Sequence, residues 1–536
     1  MIDKNWSRKA VVYHIYPLSF NDSNNDGMGD LEGIIQKLDY LNDGSENSLG
    51  VNTVWLSPIY RSPMADFGYD ISDYYDIDPI FGDLASFDKL VSEAHKRGIR
   101  MIMDFVPNHT SNQHPWFLES RASRTGSKRD WYIWRDPKPD GSPPNNWLSV
   151  FGGPAWTLDD KTGQYYHHSF LPEQPDLNWR NPEVKEEMQK VLHFWLHRKV
   201  DGFRTDAVYH LVKDGQFRDD PPNPDYDPGK MEPYSSVLHK YSQGRSETLD
   251  NLKSFCEVLG LHPDKFIISE AYIDLPELAK MYRACDNNLH APINFNLMTI
   301  PLMAGEFRNF IDKFDSSLPP EKWPNYVLGN HDRPRVATRL GQDRARLAAM
   351  IMLTLRGMPF VYYGDELGME NVDIPEEKML DPWGKRVPGF GLGRDGERTP
   401  MQWDGSKNAG FSRSKPWLPT ASNYKVRNIE TEMKDPRSML NLFRRLIHYR
   451  KKSPALLEGS YHSIDVAGEV FAYVRQCPAE KLLVVANFSA TEQNLSLRSE
   501  TAQVICNTFM DAEYGKEVDT GKLVLRPYEG YVLSFA

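Results

Sequence analysis

Val200-Asp201-Gly202-Phe203-Arg204-Thr205-Asp206 decides the fold. It is a short strand bounded by a helix signal and a chemical one. On its N-terminal side, Asn181–Lys199 reads as an amphipathic helix. Asn181 can cap it, Pro182 takes the first turn, and Val184, Met188, Val191, Leu192 and Trp195 form one stripe. At its C-terminal end Arg204 and Asp206 point the same way, because strand side chains alternate. A helix leading into a strand that ends on paired charged groups is half of a βα unit. The same pattern recurs along the chain. Val11–Tyr16, Thr53–Leu56, Met101–Val106, Phe266–Ser269, Tyr326–Leu328 and Pro359–Tyr363 are apolar runs without alternation, as in strands buried on both faces. Asp83–Arg97 is another amphipathic helix, with Phe87, Leu90, Val91 and Ala94 on one face and Gly98 closing it. Repeated strand–helix units over some 400 residues predict a (β/α)8 TIM barrel.

Two stretches break that rhythm. Residues 107–179 are rich in Pro, Gly, Trp and Asn, predicting a small domain inserted after the third strand. From 454 to 536 short alternating strands (Val470–Arg475, Leu482–Asn487, Leu523–Arg526, Tyr531–Phe535) predict a C-terminal antiparallel β domain of sandwich type. The barrel itself takes 1–106 and 180–453. A net charge of −11 without a basic block argues against nucleic acid. No apolar run reaches a membrane span's ~20 residues and none reads as a leader, so a cytoplasmic protein is expected. Cys256, Cys285, Cys477 and Cys506 lack metal or redox spacing and are expected as free thiols in a reducing cytosol.

Barrel enzymes carry their chemistry at the C-terminal strand ends. There the sequence puts Asp104 and Asn108-His109 (third strand), Arg204 and Asp206 (fourth), Glu270 (fifth) and Asn330-His331-Asp332 (seventh). Any one such carboxylate is more often a helix cap or a solvated charge; the clusters together are what cleavage of a glycosidic bond requires. One carboxylate attacks the anomeric carbon, a second carboxyl protonates the leaving oxygen, and a third stabilises the cationic transition state.

In these blocks the chain resembles the α-amylase family, glycoside hydrolase family 13, and its oligo-1,6-glucosidase and α-glucosidase branch. The ordered stretches are Asp104-Phe-Val-Pro-Asn-His109, Gly202-Phe-Arg-Thr-Asp206, Ser269-Glu270-Ala271 and Asn330-His-Asp332. Gln174-Pro-Asp-Leu-Asn178, Gly357-Met-Pro-Phe-Val-Tyr-Tyr-Gly364 and Arg398-Thr-Pro-Met-Gln-Trp403 support them. The resemblance implies Asp206 as nucleophile, Glu270 as acid/base, Asp332 as transition-state stabiliser, and His109, His331 and Arg204 around the bound glucose. It also implies that Tyr69 stacks on the ring. Asp66 would pair with Arg398 to close the pocket, Arg394 in the same segment being the alternative. Phe151 and Phe170, with Gln174, are either entrance walls or core of the inserted domain.

Asp22-Ser-Asn24-Asn-Asp26-Gly-Met28-Gly-Asp30 places oxygen side chains at alternate positions around glycine. Relatives in the resembled branch hold Ca2+ or Mg2+ there, which implies a structural ion on the Asp22, Asn24, Asp26 and Asp30 side chains and the Met28 carbonyl. The function implied is a retaining, exo-acting α-glucosidase on maltose, short malto-oligosaccharides and sucrose, with transglucosylation as a side activity. Ala207, rather than Val, after the nucleophile leans toward α-1,4 over α-1,6 linkages. Oligo-1,6-glucosidase, trehalose synthase and sucrose isomerase are the alternatives. The residues 213–251 are expected to shape the +1 and +2 subsites. A monomer or weak homodimer is expected, without an organic cofactor.

Overall fold

The structure is a computed structural model describing residues 6–285, 288–495 and 497–535; the extreme termini of the expected first and last domains fall outside it. Eight parallel strands form the core: β1 Val12–Ile15, β2 Thr53–Leu56, β3 Arg100–Phe105, β4 Gly202–Thr205, β5 Phe266–Ser269, β6 His290–Pro292, β7 Asn325–Val327 and β8 Met358–Tyr362. Their order, β6-β5-β4-β3-β2-β1-β8-β7, is that of a TIM barrel, nearly closed. All but the first residue of β3 are buried, which is why most of them read as apolar runs without alternation. Gly202 opens β4 because a Cβ there would lie 2.1 Å from the Phe266 carbonyl oxygen.

Helices cover the barrel. α1 (Leu84–Lys96) is capped by Asp83, whose side chain accepts from Ser86 N, and buries the four expected residues. α2 (Pro182–His197) is capped by Asn181 and buries its expected stripe together with Leu196. α3 (Glu247–Gly260) and α4 (Leu275–Tyr282) flank β5. Cys256 of α3 is disulfide-bonded to Cys285, just past α4, with Cα atoms 6.1 Å apart. That corrects the expectation of four free thiols: helix packing brings together two cysteines separated by 29 residues of sequence, and Cys477 and Cys506 alone are free.

Between β3 and α2 the chain makes a three-stranded antiparallel sheet (Trp134–Arg135, Trp156–Asp159, Gln164–His167) over a small core of Ile133, Trp147, Ala155 and Trp156. Phe217 and Tyr241, from the long segment after β4, pack against that core. Beyond the barrel, β9 Ser460–Ile464, β10 Val470–Cys477, β11 Glu480–Asn487, β12 Thr501–Asn507, β13 Glu517–Asp519 and β14 Gly530–Phe535 form an antiparallel sheet ordered β9-β10-β11-β14-β12-β13. Buried Arg475 in β10 donates to the Thr354 and Ala455 carbonyls, joining this sheet to the barrel's last helices. Among the described residues no helix is long and apolar enough to cross a membrane.

Candidate active site

Strand register builds the centre. Arg204 is the Cα partner of Asp104 on β3, so the two side chains meet inside the barrel mouth. Arg204 Nη1 lies 2.7 Å from Asp104 Oδ1 and 2.6 Å from Asp206 Oδ1, and Nη2 lies 2.7 Å from Glu270 Oε2. Trp55 Nε1 and the Tyr69 hydroxyl donate to the other Asp104 oxygen at 3.0 and 3.2 Å. Asp104 therefore holds Arg204, and Arg204 holds both Asp206 and Glu270.

One guanidinium facing three buried carboxylates leaves excess negative charge, so the cluster favours taking up a proton. Burial raises the Asp104 carboxyl to about 6 against the pull of Arg204. Burial, helped by Glu270 and Asp104, likewise raises Asp206, with Arg204 opposing. Arg204 brings Asp206 and Glu270 together on its two amino groups. Asp332 is different. Against the cost of burial, His331 and the Arg394 and Arg398 guanidiniums hold it well below the usual carboxylate range, and it stays ionised.

The far wall is a second ion cluster. Asp66 Oδ1 lies 2.7 Å from Arg394 Nη2, and Arg394 also reaches Asp332 (3.1 Å) and Asp381 (2.7 Å). Arg398 instead donates to the His331 carbonyl and to Asp332 at 3.0 Å. The expected Asp66–Arg398 pair is thus corrected to Asp66–Arg394. Arg398 ends a short helical turn beneath His331, whereas Arg394 precedes that turn and extends over the cavity. Gln174 Nε2 joins Asp66 Oδ2 (3.2 Å) to His109 Nε2 (3.1 Å), and burial pushes the His109 imidazole down to about 4, keeping it neutral. The Tyr69 ring lies parallel to His331 at 5.4 Å, with its hydroxyl 2.8 Å from His331 Nε2.

Asp66, Tyr69, His109, Gln174, Asp206, Glu270, His331, Asp332 and Arg394 line a cavity of about 600 Å³. Phe151 and Phe170 meet edge to face at 5.6 Å on its wall, so both are lining residues although Phe151 is also buried. Ala207 lines it as well, with φ +45° and its N–H donating to Glu270 Oε2 at 3.1 Å. Sequence reasoning missed Asp381 and Trp383. Asp381 orients Arg394, and Trp383 stacks on Phe151 at 5.4 Å; only the Asp381-Pro382 helix start marks them in the sequence. The residues 213–251 do reach the cavity, through Tyr234, Leu238 and His239 among others.

No residue of the Asp22–Asp30 loop lines that cavity. Asp22 accepts from the Asn25 and Gly27 N–H groups, Asp26 from Met28 N, and Asp30 from Gly33 N and Ser23 Oγ. Among the described residues no Lys or Arg pairs with Asp22, Asp26 or Asp30, and no three acidic or histidine side chains already converge on one point. Hard oxygens without a counter-charge fit Ca2+ or Mg2+ chemically, through the lone pairs the backbone leaves free.

Carboxylates on the ends of the fourth, fifth and seventh strands of a (β/α)8 barrel, around a sugar-sized cavity, define a glycoside hydrolase. Residues 14–459 match the family described as "Alpha amylase, catalytic domain", and 470–532 match "Alpha-amylase SusG C-terminal domain". The chain belongs to the α-amylase family of glycoside hydrolases. It is similar to a "Probable alpha-glucosidase" of Rhizobium meliloti (strain 1021), 40% identical over 507 residues, covering 91% of this chain and 90% of that one. An "Oligo-1,6-glucosidase" of Parageobacillus thermoglucosidasius is 37% identical over 574 residues, with 99% of each covered. The crystal structure of an "alpha-glucosyl transfer enzyme, XgtA" superposes with a TM-score of 0.91 at 38% identity, covering 99% of each chain.

Proposed function

We propose that the protein is a retaining, exo-acting α-glucosidase, favouring α-1,4-linked substrates of maltose size and able to transfer glucose as well as release it. The observation that carries this reading is Arg204 touching Asp206 and Glu270 at once. Two carboxyls that close leave no room for a water between them and the sugar, which suits double displacement rather than inversion.

In the first step an Asp206 oxygen bonds to the anomeric carbon while the C1–O bond to the leaving sugar breaks and Glu270 gives that oxygen its proton. The product is a β-glucosyl ester on Asp206. In the second, Glu270 takes a proton from water, whose oxygen attacks C1 and frees Asp206, releasing α-glucose. A second sugar's hydroxyl in place of water gives transfer. Asp332, held ionised, stabilises the positive charge developing at the ring. The Asp66–Arg394 ion pair on the cavity wall, backed by Asp381, supports action on a terminal residue. Membership of the family and the names of the relatives support the substrate class.

The reading includes a structural Ca2+ or Mg2+ on Asp22, Asn24, Asp26, Asp30 and the Met28 carbonyl, and a cytoplasmic location. Product analysis by NMR with maltose, isomaltose, sucrose and trehalose, beside Asp206→Ala, tests the chemistry. α-Glucose appearing first, faster from maltose than from isomaltose and absent in the variant, is expected. Initial β-glucose would overturn the covalent mechanism. Isomerised disaccharide without net glucose would move the protein to the sucrose isomerase or trehalose synthase alternative.

A further inference from the structure

Three histidines meet on the outside of the barrel, on the face opposite the cavity. His193 and His197 lie one turn apart on α2, and His262 lies in the turn between α3 and β5. Their ring centres are 5.5 Å (His193–His262), 5.8 Å (His197–His262) and 6.4 Å (His193–His197) apart. His197 is exposed, and the other two are half-buried and open to solvent.

We propose that His193, His197 and His262 form a surface site for a divalent transition metal of the Zn2+ class, with water in the fourth position. Geometry carries it. His193 Nδ1 and His262 Nε2 are 3.3 Å apart. That is about the edge of a tetrahedron with Zn–N bonds of ~2.0–2.1 Å, so the ion can replace the hydrogen bond between them without moving either helix. The same bonds at tetrahedral angles put ring centres ~5 Å apart, within about 1.5 Å of all three spacings. His197 Nδ1 is 2.7 Å from the His193 carbonyl. Donation to a backbone carbonyl fixes the imidazole tautomer and leaves Nε2 as the free lone pair, as metal-ligating histidines require. Among the described residues no group of three ligands is already placed to hold a metal ion; binding here requires the His193 and His262 rings to turn toward a common point and the His197 ring to swing in.

The place is informative. α2 leads into β4 and α3 into β5, the strands whose opposite ends carry Asp206 and Glu270. A metal here would tie both helix–strand connections at the closed end of the barrel, with no contact to substrate. Its expected effect is on stability.

Untagged protein, stripped by chelating resin, is titrated with Zn2+ by calorimetry and followed by thermal melting. One Zn2+ per chain is expected, with a rise in Tm. His193→Ala, His197→Ala and His262→Ala should each weaken binding by at least about tenfold, and the His193→Ala/His262→Ala double variant should abolish the Tm rise. Asp26→Asn, in the oxygen-rich loop, should leave Zn2+ uptake unchanged. The metal-free variants should match the wild type in Tm and glucosidase rate, since all three side chains lie at the surface. Zn2+ uptake undiminished in the double variant, or no uptake below millimolar Zn2+ in the wild type, would overturn the proposal.

Discussion

Arg394 Nη2 lies 2.7 Å from Asp66 Oδ1 and 2.7 Å from Asp381 Oδ1, so one buried guanidinium joins the loop after β2 to the segment after β8. Its other amino group reaches Asp332 at 3.1 Å, which couples the pocket wall to the charge of that carboxylate. Removing Arg394 leaves buried Asp66 and Asp381, and half-buried Asp332, short of a partner, a change worth about 3–5 kcal/mol. Arg394→Ala should therefore lower kcat/KM on maltose by at least about a hundredfold. Arg398→Ala, which leaves the Asp66 pair intact, should act chiefly through Asp332 and lower kcat more than it raises KM. Equal KM increases in both variants would show that Arg394 has no separate role at the pocket wall.

Asp104 does not line the cavity around Asp206 and Glu270, yet it supplies one of the three negative charges around Arg204. Asp104→Asn removes that charge and so weakens the upward push on Asp206, lowering the pH at which that carboxyl gives up its proton. The alkaline limb of the kcat/KM profile should move to lower pH by about one unit. A parallel loss of rate at all pH values, with the limb unmoved, would reduce Asp104 to a support for Arg204.

Much of this site was legible because strand ends are read from local sequence. Asp104, Arg204, Asp206, Glu270 and Asp332 each follow an apolar run, and the barrel brings such ends together by topology alone. β6 escaped because His290-Ala291-Pro292 carries no apolar run. Asp381 and Trp383 escaped because a loop's course is set by what it packs on, here Arg394 and Phe151. The choice between Arg394 and Arg398 failed for a related reason. The Arg398-Thr-Pro-Met-Gln-Trp403 block marks a buried anchor under His331, whereas the residue that crosses the pocket stands before it. The Cys256–Cys285 bond likewise depends on how α3 and α4 pack.

Ala207 sits in the left-handed region beside Asp206, and its N–H is committed to Glu270. A β-branched side chain there adds backbone strain of about 1–2 kcal/mol and fills space on the cavity wall. Ala207→Val should lower Tm and shift the maltose-to-isomaltose preference toward isomaltose by about ten- to a hundredfold. An unchanged ratio would mean that linkage preference is set elsewhere, with the segment 213–251 the next place to look.

The loop ion is tested by chelation. If Ca2+ neutralises Asp22, Asp26 and Asp30, dialysis against EDTA should lower Tm by a few degrees, and Ca2+ at about a hundred times Kd should restore about 2.7 kcal/mol. Asp26→Asn should melt near the chelated wild type and respond little to added Ca2+. A wild-type Tm indifferent to both EDTA and Ca2+ would leave those carboxylates as loop-forming groups for the N–H donors they already hold.

His290 gives a pH dependence of stability whose sign is fixed by burial. Burial, with Lys322 nearby, pushes its imidazole down to about 3, against 6.5 for the free side chain. The unfolded chain thus binds a proton between those values that the folded chain does not. The neutral form's contribution is present in full above pH 6.5 and is lost as pH falls toward 3. At pH 5 the loss is about 2 kcal/mol, from 1.5 pH units at ~1.36 kcal/mol each. His290→Asn gives up the 2.6 Å contact with Ser269 Oγ and should be less stable than wild type at pH 7. Between pH 7 and pH 5, however, it should lose about 2 kcal/mol less, so the two unfolding curves converge on acidification. Denaturant melts at the two pH values measure this directly. Parallel losses would mean that His290 takes up its proton without leaving the fold, by a relaxation of β6 against β5.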